Sequence, residues 1–256
     1  MVKPKVLILR VAGTNCDMET EWAFNLAGAI PERVHINQFI SRRKKMKDYQ
    51  ILVFPGGFSY GDDISAGKVF ANELKYKICE EIESFIKDKK PILGICNGFQ
   101  VLVKAGILPW HSSQKITLGW NDSGRYEDRW VYLKVENSIC PFLKDIPSII
   151  KLPVAHAEGK FIPESKKVLE KLNEKKQIVF RYVSSSGELE GYPFNPNGSI
   201  ENIAGICDNS GLILGMMPHP ERCLIKYHYP DWTREKNKEI YGNGFQIFKN
   251  IVKYLQ

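Results

Sequence analysis

Along the first half of the chain, short unbroken apolar runs alternate with segments of helical periodicity. Residues 6–11, 51–54 and 91–95 read as strands with both faces buried, while 17–27, 66–87 and 97–104 carry apolar side chains at helical spacing. Continuous apolar strands separated by helices are what a parallel sheet covered on both faces requires. The pattern predicts an α/β fold, a doubly wound, mostly parallel sheet with helices on both faces, which binds ligands beyond the carboxyl ends of its strands. After Trp110 the strands alternate more, at 130–135, 149–155 and 177–183. A turn cluster at 195–198 then precedes two more apolar runs, 203–207 and 212–217, and an amphipathic helix at 243–255. With no repeat or low-complexity linker, the chain reads as a single domain, 1–256. Its second half completes the same sheet, with an extended insertion around 137–200.

Composition narrows the function classes. The 256 residues are 43% hydrophobic and 25% charged, as in ordinary globular domains. No apolar run approaches the roughly 18 residues of a membrane span; 211–218 is among the longest. The start, 1–9, has neither the apolar core nor the cleavage site of a secretory leader. A soluble, cytoplasmic protein without a membrane partner is expected. Six cysteines lie scattered, without a paired Cys-x-x-Cys or zinc spacing, so neither a metal site nor a disulfide framework is expected, and most should be buried small hydrophobes. The net charge is +7, but the basic clusters at 42–47, 87–90 and 171–176 are separated and mostly mixed with acids. That describes a solvated surface rather than a nucleic-acid footprint.

The chemistry concentrates at two strand ends. In Gly94-Ile-Cys96-Asn-Gly98, a strand ends at a cysteine flanked two residues away on each side by glycine, and a helix follows. This is the thiol form of a nucleophile elbow, in which glycines let strand and helix approach closely and the sharp turn pushes the side chain out above the sheet. A sulfur at a helix N-terminus is favoured as an anion by the aligned backbone dipoles. Gln100 lies about one turn further along the same helix face, toward whatever Cys96 attacks. Alone, a cysteine is more often a buried structural residue; strand, glycines and helix coinciding make Cys96 the candidate nucleophile.

The second strand end carries Met217-Pro-His219-Pro-Glu221. The prolines hold His219 extended, and side chains two apart on extended chain share a face, so Glu221 can orient the imidazole and stabilise its protonated form. Such a Pro-flanked segment is expected to contribute few core contacts. A cysteine, a histidine and a carboxylate suit attack on a glutamine carboxamide, protonation of departing ammonia, and hydrolysis of the resulting thioester. The backbone N–H groups of Gly57, from the Pro-Gly-Gly turn after 51–54, and of Asn97 are candidate oxyanion donors.

In order, Pro-Gly-Gly, Gly-Ile-Cys-Asn-Gly-Phe-Gln and His-Pro-Glu resemble the class I glutamine amidotransferases over nearly the whole chain. The segments 56–62 (GGFSYGD), 121–130 (NDSGRYEDRW), 153–159 (PVAHAEG), 195–199 (NPNGS) and 215–222 (GMMPHPER) are similar to the glutaminase subunits of phosphoribosylformylglycinamidine synthase. The sequence departs from that family at Ala157, where glycine is usual. The resemblance implies a flavodoxin-like sheet, a triad of Cys96, His219 and Glu221, and oxyanion donors Gly57 and Asn97. It also implies glutamine contacts from Phe58 and Gln100, with Asn121, Ser123 and Arg129 in the glutamine pocket or at a partner contact. Ammonia would pass to a synthetase subunit carrying ATP and Mg²⁺, with a small accessory subunit in the complex. This chain would hold no cofactor, in keeping with its lack of a P-loop or dinucleotide fingerprint. Two other readings use the same residues: an amidotransferase feeding a different synthetase, and a stress protein of the same fold with a reactive elbow cysteine. The second usually lacks His-Pro-Glu and the glutamine four residues after the cysteine.

Overall fold

The computed structural model describes residues 2–234 and 239–256. In chain order it comprises β1 (Lys5–Arg10), α1 (Asp17–Leu26), β2 (Ile30–His35), a short α2 (Asn37–Ile40), β3 (Ile51–Phe54), α3 (Lys68–Lys77), α4 (Cys79–Lys87), β4 (Ile92–Ile95) and α5 (Asn97–Lys104). There follow β5 (Ile116–Trp120), β6 (Glu127–Val135), β7 (Ile149–His156), β8 (Glu158–Pro163), α6 (Lys166–Glu174), β9 (Ile178–Val183), β10 (Ile203–Cys207), β11 (Ile213–Met216) and α7 (Phe245–Lys253).

Nine strands form one mixed sheet in the order β2-β1-β3-β4-β11-β10-β9-β6-β7. From β2 to β11 the pairings are parallel, and from β11 to β7 they are antiparallel. Burial explains the two textures of the sequence. Every residue of β3, β4, β10 and β11 is buried, whereas β7 alternates strictly between core and partly exposed positions, as a strand with one covered face must. Two helical groups cover the parallel half. One is α1 with α7, where Phe24 and Phe248 meet edge-to-face at 5.1 Å; the other is α3 with α4 and α5.

The structure departs from the sequence pattern in three places. The edge strand β2, IPERVH, was not foreseen because its only fully buried residue is Val34, so it has no apolar run to announce it. The helix expected over 66–87 is two helices, broken where buried Ile78 turns to φ −138°. Strands β5 and β8 form a separate antiparallel pair instead of joining the main sheet. Segment 137–200 supplies β7 and β9 to the main sheet and also contains α6 and β8, the latter in the separate pair. Among the described residues no helix is long and apolar enough to cross a membrane.

Candidate active site

Strands β4 and β11 lie side by side with Gly94 opposite Gly215 and Ile95 opposite Met216, so residues 96 and 219 emerge at the same end of the sheet. At Cys96 the backbone adopts φ 49°, ψ −105°, a conformation that costs free energy in any residue with a Cβ and persists only when its surroundings enforce it. They do so through two glycines. A Cβ on Gly98 would lie 1.9 Å from the Phe54 carbonyl oxygen, and one on Gly94 would lie 2.5 Å from Leu102 Cδ1 and 2.9 Å from the Gly98 backbone. Strand β3, strand β4 and helix α5 touch through bare backbone, which is what the elbow motif demanded. The Cys96 N–H donates to the Met216 carbonyl at 2.8 Å, and its thiol donates to the Ala155 carbonyl at 3.7 Å.

His219 is pinned by its N–H to the Pro153 carbonyl at 2.8 Å, and its Nδ1 lies 2.6 Å from Glu221 Oε1. A turn over Pro220–Arg222 brings Glu221 back to the ring, in place of the extended face-sharing expected. Both residues are buried, at 2% and 1% exposure, so this segment is part of the interior and not the weakly packed loop the sequence suggested. Burial opposes a charge on the imidazole, but Glu221, then Cys96 and Cys16, outweigh it and hold His219 well above the ordinary range. Its Nε2 is buried without a hydrogen-bond partner among the described residues, as in a site whose proton-transfer contacts tighten when substrate arrives.

Small-molecule sites start at about 300 Å³, and the cavity in front of Cys96 measures about 310 Å³. Gly57, Phe58, Cys96 and Gln100 line it, with Asp62, Trp120 and the run from Ala155 to Glu158. Gly57 sits at φ 142°, where a Cβ would come within 2.7 Å of the Asn15 nitrogen, so glycine is required for the close passage. The Asn97 side chain is a brace: Oδ1 accepts from Ser59 N–H at 3.2 Å, and Nδ2 donates to Gln100 Oε1 at 2.9 Å and Asp62 Oδ1 at 3.2 Å. Gln100 Nε2 in turn donates to the Glu158 carbonyl at 2.5 Å.

Three residues are expected in the glutamine pocket or at a partner contact. Asn121, Ser123 and Arg129 do not line the Cys96 cavity. Asn121 braces His156 behind the wall, donating to its carbonyl at 2.8 Å and meeting Nδ1 at 3.1 Å. Ser123 and Arg129 both bond Glu127, and Arg129 also reaches Tyr192 at 2.9 Å. Burial pushes His156 down to about 3, so it is a neutral brace.

The sequence reading missed Cys16, Asp62, Lys104 and Glu158. Cys16 packs against His219, and Arg222 Nη2 donates to its sulfur at 3.1 Å. Donor atoms of Cys16, His219 and Glu221 all lie within 4.8 Å of one another, and the Arg222 guanidinium supplies a positive charge at that sulfur. Only the turn linking β1 to α1 brings Cys16 here, and no local spacing in the sequence signals it.

Fold and family comparison agree on the class. The profile of the CobB/CobQ-like glutamine amidotransferase domain matches residues 3–255. The phosphoribosylformylglycinamidine synthase subunit PurQ of Dehalococcoides mccartyi is 49% identical over 258 residues, covering 99% of this chain and 98% of that protein. The PurQ subunit of Methanococcus maripaludis is 47% identical over 268 residues, with 99% and 98% covered. A chain in the solved structure of PurLQS from Thermotoga maritima superposes with a TM-score of 0.77 at 32% identity, covering 100% of both chains. The chain belongs to the family of PurQ subunits of phosphoribosylformylglycinamidine synthase.

Proposed function

We propose that this chain is the glutaminase of a phosphoribosylformylglycinamidine synthase, releasing ammonia for a purine precursor. The observation that carries the reading is Cys96 in a strained elbow facing a cavity, with the buried His219–Glu221 pair emerging from the adjacent strand. The Cys96 sulfur attacks the carboxamide carbon of glutamine, and backbone N–H groups of Gly57 and Asn97 stabilise the oxyanion. His219, held protonated by Glu221, gives its proton to the departing nitrogen, and ammonia leaves a glutamyl thioester on Cys96. Neutral His219 then takes a proton from water, whose attack releases glutamate and restores the Cys96 thiolate beside protonated His219. Phe58 and Gln100 shape the pocket.

The ammonia goes to a synthetase subunit that binds ATP and Mg²⁺, in a cytoplasmic complex with a small accessory subunit; this chain itself carries no cofactor. The whole chain acts as one amidotransferase domain. Its test is Cys96→Ala in the assembled complex. Glutamine-dependent synthesis should vanish while synthesis from added ammonium persists, and loss of both activities together would make Cys96 structural.

A further inference from the structure

Besides its reacting carboxamide, glutamine presents an α-ammonium and an α-carboxylate, and a glutaminase needs a group that recognises at least one of them. The cavity wall around Cys96 is acidic. Asp62 and Glu158 both line it, and the charged groups that act on Asp62 are Glu158 and Lys104. Lys104 Nζ lies 3.5 Å from Glu158 Oε2, and it donates to Ser65 Oγ at 3.0 Å and the Ala66 carbonyl at 2.5 Å. Glu158 Oε1 accepts the Ala66 N–H at 3.2 Å. Glu158 is therefore satisfied by a cation and a backbone donor. Two carboxylates share one ammonium, so the wall holds one uncompensated negative charge, and it falls on Asp62.

Asp62 accepts from Asn97 Nδ2 at 3.2 Å, and Asn97 is the residue after Cys96. The acid is thereby tied through a single side chain to the residue beside the nucleophile, and Asp62 and Cys96 line the same cavity. Burial, and after it repulsion from Glu158, outweighs the Gly67 N–H, Lys104 and Asn97 and pushes Asp62 up to about 6. That is how a carboxylate behaves when its counter-ion is missing. Resting on the glutaminase reading above, we propose that Asp62 binds the α-ammonium of the substrate glutamine, with the Glu158–Lys104 pair fixing the charge balance so that one cation is accepted.

The test compares glutamine with glutaramate, which is glutamine without its α-amino group, on the assembled complex. Asp62→Asn should raise KM for glutamine by about 10- to 100-fold, the worth of one charge-assisted hydrogen bond, with a much smaller change in kcat. Because Asp62 also braces Asn97, some loss on glutaramate is expected too, but the loss in kcat/KM on glutamine should exceed it by about 10-fold or more, and Asp62→Glu should recover part of that difference. Equal losses on both substrates would overturn the proposal, because a merely structural Asp62 cannot sense the amino group. A second measurement uses the wild-type protein alone: Cys96 is labelled with a diazo-ketone analogue of glutamine and with the same reagent lacking its amino group. Both need the same nucleophile, so their rate ratio isolates recognition of the ammonium. The aminated reagent should hold its advantage above about pH 6 and lose it below, as Asp62 gains a proton. A ratio independent of pH overturns the Asp62 assignment, whereas no labelling of Cys96 by either reagent sinks the glutaminase reading itself.

Discussion

His219 and Glu221 occupy positions where an unpaired charge would be poorly hydrated, so a substitution at either should read out in kinetics and stability together. Replacing His219 by Ala removes the proton donor and acceptor and should lower turnover by about 10² to 10⁴. Glu221→Gln keeps the shape but removes the charge that outweighs burial at the imidazole. The His219 pKa then falls, and the alkaline limb of the kcat/KM profile should move to lower pH; an unmoved limb would reduce the triad to a dyad. Folding follows the same charge. The His219 pKa is raised in the folded state, so the pair's contribution is complete below about 6.5 and fades as pH rises through the raised value. The Tm deficit of Glu221→Gln should accordingly be larger near pH 6 than at alkaline pH. The candidate cluster of Cys96, His219 and Glu221 was legible because each sits in a strand-end motif, although Glu221 lies on a turn and not on the extended chain its prolines suggested. Asp62 and Cys16 were not, because what defines them is company: Glu158 and Lys104 for one, His219 and Arg222 for the other.

The element on which the site depends is the turn from β4 into α5, and its tolerance is set by contacts shorter than any side chain allows. Gly98→Ala would drive a Cβ into the Phe54 carbonyl, so α5 must lift from β3 and carry Cys96 with it. Overpacking of this kind costs about 1–3 kcal/mol, and a shift near 1 Å at a nucleophile can cost about 10² in rate. A lower Tm with about 10²-fold slower glutamine hydrolysis is expected; a variant with wild-type Tm and turnover would refute the close-packed elbow. Strands buried on both faces, such as β3, β4, β10 and β11, were readable as apolar runs. The edge strand β2 was not, since it meets the core mainly through Val34 and carries Pro31, Glu32 and Arg33 as edges tolerate. Nor was the break between α3 and α4, where no glycine or proline marks Ile78.

At the scale of the whole molecule, the parallel half holds both strand ends of the candidate site, and the end of β7 with the start of β8, in the separate pair, contributes the Ala155-to-Glu158 wall. Strand β11 fills the place between β4 and β10, so the sheet cannot close until it is present. A chain stopped after Asn209 should fail to fold by circular dichroism and should leave Cys96 unlabelled by the diazo-ketone; specific labelling of such a fragment would contradict that dependence. The same order matters during translation. Cys96 leaves the ribosome well before β11 and the His219 segment behind it, so on the proposed chemistry the nascent chain has a thiol but no acid to release ammonia until β11 slots in beside β4. On the proposed glutaminase reading, unfinished or prematurely terminated copies should leave the cell's glutamine pool untouched.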